Sequence, residues 1–114
     1  MVTGFQGRGF RVRDDVFPDG LLLSPVRALA WQEAPRVEAL TVPDLGDLFD
    51  LDPLPEFLLI GTGASLRQPP RPFVRELEAK GIGVEVMDSR AAARAWGVLR
   101  AEERWIVAAL LPLI

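Results

Sequence analysis

Gly61-Thr62-Gly63, with Ser65 and Arg67 close behind, is the stretch whose residue types could do chemistry, and that chemistry is anion binding. A glycine has no Cβ, so its amide can approach a ligand closely. A loop just past a strand's carboxyl end is also where open α/β sheets receive anions. Thr62 and Ser65 would add hydroxyls, and Arg67 or Arg104 would add charge-assisted hydrogen bonds. The competing reading makes Gly-Thr-Gly simple turn chemistry between a strand and a helix, and a lone glycine motif does not choose between the two. For Arg104 the alternative is an ion pair, with Asp88 or Glu103, that holds the start of the last strand.

Absences narrow the chemistry further, because the chain has no cysteine, no histidine and no tyrosine. Thiol redox, disulfides, cysteine nucleophiles, histidine general bases and the usual zinc sites are thereby excluded unless a partner supplies the groups. Between Glu33 and Glu56 seven acidic residues face one basic residue, Arg36, which invites a metal site. Asp50-Leu51-Asp52 lacks the glycine and closing glutamate of a calcium loop, so these carboxylates read as solvated, and neither metal nor cofactor is expected. A net charge of −3 and a pI near 4.9 argue against nucleic acid, which demands a basic footprint. Arg8, Arg11 and Arg13 read as the solvated face of a strand.

These residues need a frame, and the apolar pattern supplies one. Phe57 to Ile60 has no polar face, so a strand there must be covered on both sides, and the same holds for Trp105 to Leu111, a final and central strand. Upstream, Phe10 and Val12 alternate with Arg11 and Arg13 in a half-buried strand. Pro18-Asp19-Gly20 reads as a hairpin turn, Leu21 to Leu23 as a second strand, and Val26 to Trp31 as a third, making residues 9 to 31 an antiparallel meander. Pro43 opens a short helix carrying Leu45, Leu48 and Phe49, and Asp52-Pro53-Leu54-Pro55 is a stiff connector. Pro72 opens a helix to about Lys80, ended by Gly81 in a Schellman cap that brings Ile82 onto Leu77. Ile82 to Met87 is the next strand. Asp88 or Ser89 then caps an alanine-rich helix that Gly97, at positive φ, is expected to close.

The order is meander, strand, helix, strand, helix, strand, which implies one layered α/β (α+β) domain spanning residues 1–114. A dinucleotide-binding fold is disfavoured, because the helix after Gly63 starts about nine residues later instead of at the glycines.

Gly4-Phe5-Gln6-Gly7-Arg8-Gly9-Phe10, Trp31, Leu59 to Gly63, Gly83 to Ser89 with Ala92, Val98-Leu99, Glu103-Arg104 and Val107 to Leu110 together resemble the Mth-type family of small domains of unknown function. That family includes a mitochondrial respiratory complex I assembly factor and an adipogenesis-associated protein. The resemblance spans essentially the whole chain and implies a three-layer fold around a central mixed five-stranded sheet, the last strand antiparallel to its neighbours. Where the family commonly has Thr-Tyr-Asn, this chain has Ala95-Trp96-Gly97, which puts any activity using those hydroxyls in doubt.

Two functions are therefore weighed. One is a non-catalytic interaction or assembly module whose partner is another protein, with apolar residues such as Leu113-Ile114 available to be covered. The other is a small-anion-binding protein or weak enzyme at Gly61-Thr62-Gly63. The amino end lacks an apolar signal core and no run is long enough to span a membrane, which reads as a cytoplasmic protein.

Overall fold

The structure, a computed structural model, describes residues 2–114; the amino-end reading falls partly on Met1, which lies outside them. Among the described residues, eight strands and two helices occur in the order β1 (Gly4–Gln6), β2 (Gly9–Val12), β3 (Asp15–Phe17), β4 (Leu21–Leu23), β5 (Ala28–Ala30), β6 (Phe57–Gly61), α1 (Arg71–Ala79), β7 (Gly83–Met87), α2 (Ser89–Ala101) and β8 (Val107–Leu110). Two short 3-10 turns, Val37–Ala39 and Val42–Leu45, lie between β5 and β6.

Five strands make the central sheet, in the order β5-β4-β8-β6-β7, with β8 in the middle as its apolar run requires. Pairing of β6 with both β7 and β8 is parallel, whereas β4 runs antiparallel to β8. The last strand is thus antiparallel to one neighbour only, a correction to what the family resemblance implies. Strand alternation splits each apolar run between two cores. Leu58, Ile60, Val107 and Ala109 face α1, the 3-10 turns and Trp31. Leu59, Ala108 and Leu110 face α2 and Phe10 of the smaller sheet. The result is three layers, and every fully buried leucine or isoleucine in them contributes about 1.5–3 kcal/mol.

The amino-terminal strands are not one meander. β1, β2 and β3 form their own antiparallel sheet, while β4 and β5 belong to the central one. Pro18-Asp19-Gly20 therefore carries the chain between sheets and does not close a hairpin. What separates them is side-chain destination: Phe10 and Phe17, cross-strand partners, pack into the α2-side core from outside the central sheet. The segment opened by Pro43 forms a 3-10 turn and no α-helix. Thr41 donates its amide and its hydroxyl to Asp44 Oδ2, each at 2.8 Å, and the turn stops at Gly46.

The carboxy-terminal half follows the sequence closely. α1 ends as expected, with Ile82 N donating to Leu77 O at 3.0 Å and Gly81 N to Glu78 O at 3.0 Å. Asp88 is the N-cap of α2, its Oδ1 accepting from Ala91 N at 2.9 Å. Gly97, however, lies inside α2, which continues to Ala101 through the good helix formers Leu99, Arg100 and Ala101, Leu99 partly buried against the α2-side core. The left-handed residue is Glu103, at φ 60°, and Arg104 N closes back on Leu99 O at 3.0 Å. A non-glycine residue thus occupies the terminating position. Two substitutions follow, read by urea denaturation: Gly97→Ala should gain roughly 0.5–1 kcal/mol by relieving a helical glycine, and Glu103→Gly about 1 kcal/mol by relieving a left-handed side chain. Loss of stability in Gly97→Ala would mean that something other than backbone preference holds the glycine there.

Candidate functional site

Parallel β6 and β8 both end on the same side of the sheet, and α2 begins there. Gly61, the last residue of β6, is buried because α2 enters directly over it. A Cβ built on Gly61 would lie 2.7 Å from Ser89 Oγ and 2.8 Å from Ser89 Cα, distances at which something must shift. Gly61 is thus required for close packing and not for exposing its amide. Ser89 is fully buried, and its hydroxyl donates to Leu111 O at 2.7 Å while accepting from Gly63 N at 2.8 Å. Ser89 N donates in turn to Gly63 O at 2.8 Å. One hydroxyl therefore ties the ends of β6 and β8 to the first turn of α2, a connection that the sequence did not signal beyond Ser89 being a possible cap.

The amides expected to be bared for an anion are thereby engaged. Thr62 N donates to Met87 O at 2.9 Å, and Gly63 N to Ser89 as above. The Thr62 hydroxyl is turned inward too, donating to Ser65 O at 2.7 Å and accepting from Arg67 N at 3.1 Å. Gly63 has φ 105°, and a Cβ there would press on the carbonyls of Pro112 and Ile114 at 3.2 and 3.3 Å. Ser65 contributes its carbonyl to this turn. Asp88 is committed to capping α2. Residues 64–68 are exposed, and Arg67 is the charged one among them, its Nη1 lying 3.4 Å from Glu38 Oε2.

Arg104 is elsewhere. It pairs with Glu56, Nε to Oε2 and Nη2 to Oε1 each at 3.1 Å, and its guanidinium lies 5.7 Å from the centre of the Phe57 ring. Asp88 and Glu103 are not its partners. Glu56 immediately precedes β6, five residues before Gly61, so this pair is roughly 16 Å from the loop, at the opposite end of the strand. It does hold the start of the last strand: Glu56 Oε2 also accepts from Trp105 N at 3.3 Å, and Glu56 N donates to Trp105 O at 2.8 Å. The hydrogen bond from Arg104, helped by its charge and the Trp105 amide against some desolvation, holds the Glu56 carboxyl below the usual glutamate range.

Beside Thr62 and Arg67 lies a cleft of about 320 Å³, bounded also by residues 34–37 and by Leu111, Pro112 and Ile114. No local signal marks Arg36 as lining the same cleft as Arg67, since the two come to it only when the loop after β5 folds across the ends of β6 and β8. Leu113, read as an apolar residue open to a partner, is instead buried in the α2-side core, whereas Ile114 is 78% exposed.

Two measurements test these roles. Ser89→Ala should cost about 2 kcal/mol or more in chemical denaturation, since it strands a buried amide and a buried carbonyl at once; a loss under about 0.5 kcal/mol would remove the link from its central place. Because the folded Glu56 carboxyl titrates below its unfolded value, its contribution is present at neutral pH and is lost as pH falls through the folded value. The melting temperature of Glu56→Gln should therefore lie below that of the unmodified protein at pH 7, and the difference should close between about pH 5 and pH 3. A gap independent of pH would mean that the ionised pair contributes nothing.

Comparison with known proteins places this fold among relatives. A protein of Rhodobacter capsulatus described as uncharacterized is 34% identical over 98% of this chain and 84% of its own length. NADH dehydrogenase (ubiquinone) 1 alpha subcomplex assembly factor 3 of Danio rerio is 29% identical over 98% of the chain, which spans 64% of that protein. The counterpart from Drosophila melanogaster is spanned over 58% of its length. Among solved structures, a Bordetella parapertussis protein superposes with a TM-score of 0.85 at 36% identity, covering 97% of this chain and 93% of that one. The solution structure of a Mth938-like domain from Bordetella pertussis gives 0.82 at 30% identity, covering 97% and 84%. Residues 2–111 match the family described as proteins of unknown function DUF498/DUF598, and with nearly its entire fold inside that match the chain belongs to this family.

Proposed function

We propose that this domain is a non-catalytic interaction module that assists assembly of an NADH dehydrogenase. The observation supporting this is one of extent: the similarity to assembly factor 3 proteins runs over 98% of the chain, so what is shared with them is the complete three-layer fold and not an isolated motif. Those proteins are longer than this chain, and their assembly role is carried over here as part of the proposal. A cytoplasmic location belongs to the same reading. Among the described residues no helix is long and apolar enough to cross a membrane.

The surface offers a place for a protein partner. β5 is an edge strand of three residues, and next to it Leu22, Leu29, Leu48 and Leu51 line a groove of about 160 Å³ with Val26, 72% exposed, on its rim. Arg27 and Asp47 pair across the same rim at 3.1 Å. Apolar side chains beside unpaired backbone at a sheet edge are what an added strand or helix from a partner covers.

Deleting the gene in its host and resolving the NADH dehydrogenase by native electrophoresis tests the proposal. Assembled complex should fall several-fold, return with the unmodified gene, and fail to return with Val26→Asp/Leu29→Asp, whose fold circular dichroism would confirm. Unchanged assembly in the deletion strain would overturn the assembly role, and full rescue by the double variant would overturn the groove.

A further inference from the structure

We infer that the cleft at the carboxyl ends of β6 and β8 binds a carboxylate bearing an apolar tail. Its lining is of two kinds. Val37 and Leu111, 3% and 6% exposed, belong to the main core and give the cleft a floor that is already dry, and Pro112 and Ile114 extend it outward. Arg36 and Arg67 also line it, with side chains 84% and 55% exposed. At about 320 Å³ the space would hold roughly ten waters, within the range of small-ligand pockets.

The arginines are not saturated. Arg36 Nε is 3.9 Å from Glu38 Oε1, and Arg67 Nη1 is 3.4 Å from Glu38 Oε2. Both distances exceed the roughly 2.7–2.9 Å of a fully made charge-assisted hydrogen bond. Glu38 lines the neighbouring groove with Leu40, Thr41 and Phe73 and not the cleft itself, so it acts from outside as an internal competitor for a carboxylate that arrives. The planar fork of a guanidinium matches a carboxylate's two oxygens, while the dry floor favours a ligand with an apolar body over a small, fully hydrated ion. Arg67 is also held in place at its backbone: its amide donates to Thr62 Oγ1 at 3.1 Å, and Thr62 is pinned by Ser65 O. A donor on a fixed stem loses less freedom on binding. The position suits the fold, because the carboxyl ends of parallel strands are where α/β sheets take ligands. Side chains, and not the amides of Gly61-Thr62-Gly63, do the binding, and nothing in this depends on the assembly role.

Octanoate is the probe. It is titrated into the full chain while the resonances of Val37, Thr62, Leu111 and Ile114 are followed by NMR, with 1-octanol and inorganic phosphate at equal ionic strength as controls. Saturable shifts confined to the cleft are expected with octanoate, and binding of either control should be weaker by roughly tenfold or more. Arg67→Gln, on an exposed loop, should raise the octanoate Kd roughly tenfold, and Glu38→Gln should lower it by removing the competitor. The inference is overturned if octanol binds as tightly as octanoate, if phosphate does, if no saturable shift appears, or if Arg67→Gln and Arg36→Gln both leave the affinity unchanged.

Discussion

The contact between Ser89 and the carboxyl end of β6 is the constraint on which the rest of this structure depends. A parallel strand pair buried on both faces leaves its last amides and carbonyls without partners unless another element supplies them. Here a single hydroxyl does so for both strands, donating to Leu111 O and accepting from Gly63 N. It can reach because residue 61 has no side chain: the space a Cβ would need is filled by Ser89 itself. The alanines of α2 act in the same sense. Ala92 and Ala93 are buried against Ala108 and Leu110, so the helix lies low over the sheet along its first turns.

The two ends of β6 are stabilised by different physics. At its start, an exposed bidentate pair between Arg104 and Glu56 joins the turn after α2 to the strand, and such pairs are worth little individually when half in water. Its value here is geometric, since Glu56 also takes the Trp105 amide and returns its own amide to the Trp105 carbonyl, which sets the register of β8 against β6. The far end is dry and neutral, so its hydrogen bonds count for more and leave little free backbone. That contrast explains why the glycine loop, which looks open on paper, is closed in space, and why the cations lining the cleft are the side chains of Arg36 and Arg67.

An interaction module and a ligand cleft are compatible on one small domain because they use different surfaces. The groove beside β5 lies at the edge of the central sheet, whereas the cleft lies over the ends of its interior strands. Function of this kind sits in particular sites on the fold, and family membership alone does not assign it.

Local signals in the sequence determined much of the carboxy-terminal half. The unbroken apolar runs at 57–60 and 105–111 required strands covered on both faces, and those runs hold all of β6 but its last residue and all of β8, two interior strands of the sheet. Gly81 with Leu77 and Ile82 wrote out the end of α1, and Asp88 the start of α2, because caps are decided within a turn of chain. Tertiary structure alone decided the remainder. Division of the first five strands between two sheets rests on where Phe10 and Phe17 find their core, and α2 runs on through Gly97 to close at Glu103, with Leu99 packed against the α2-side core. The partner of Arg104 lies 48 residues away. Whether the Gly-Thr-Gly amides face solvent depends on Ser89, 26 residues beyond Gly63, and the placing of Arg36 and Arg67 on one cleft depends on how the loop after β5 crosses the sheet. Each of these turns on contacts between residues distant in the chain, which only the folded arrangement brings within reach.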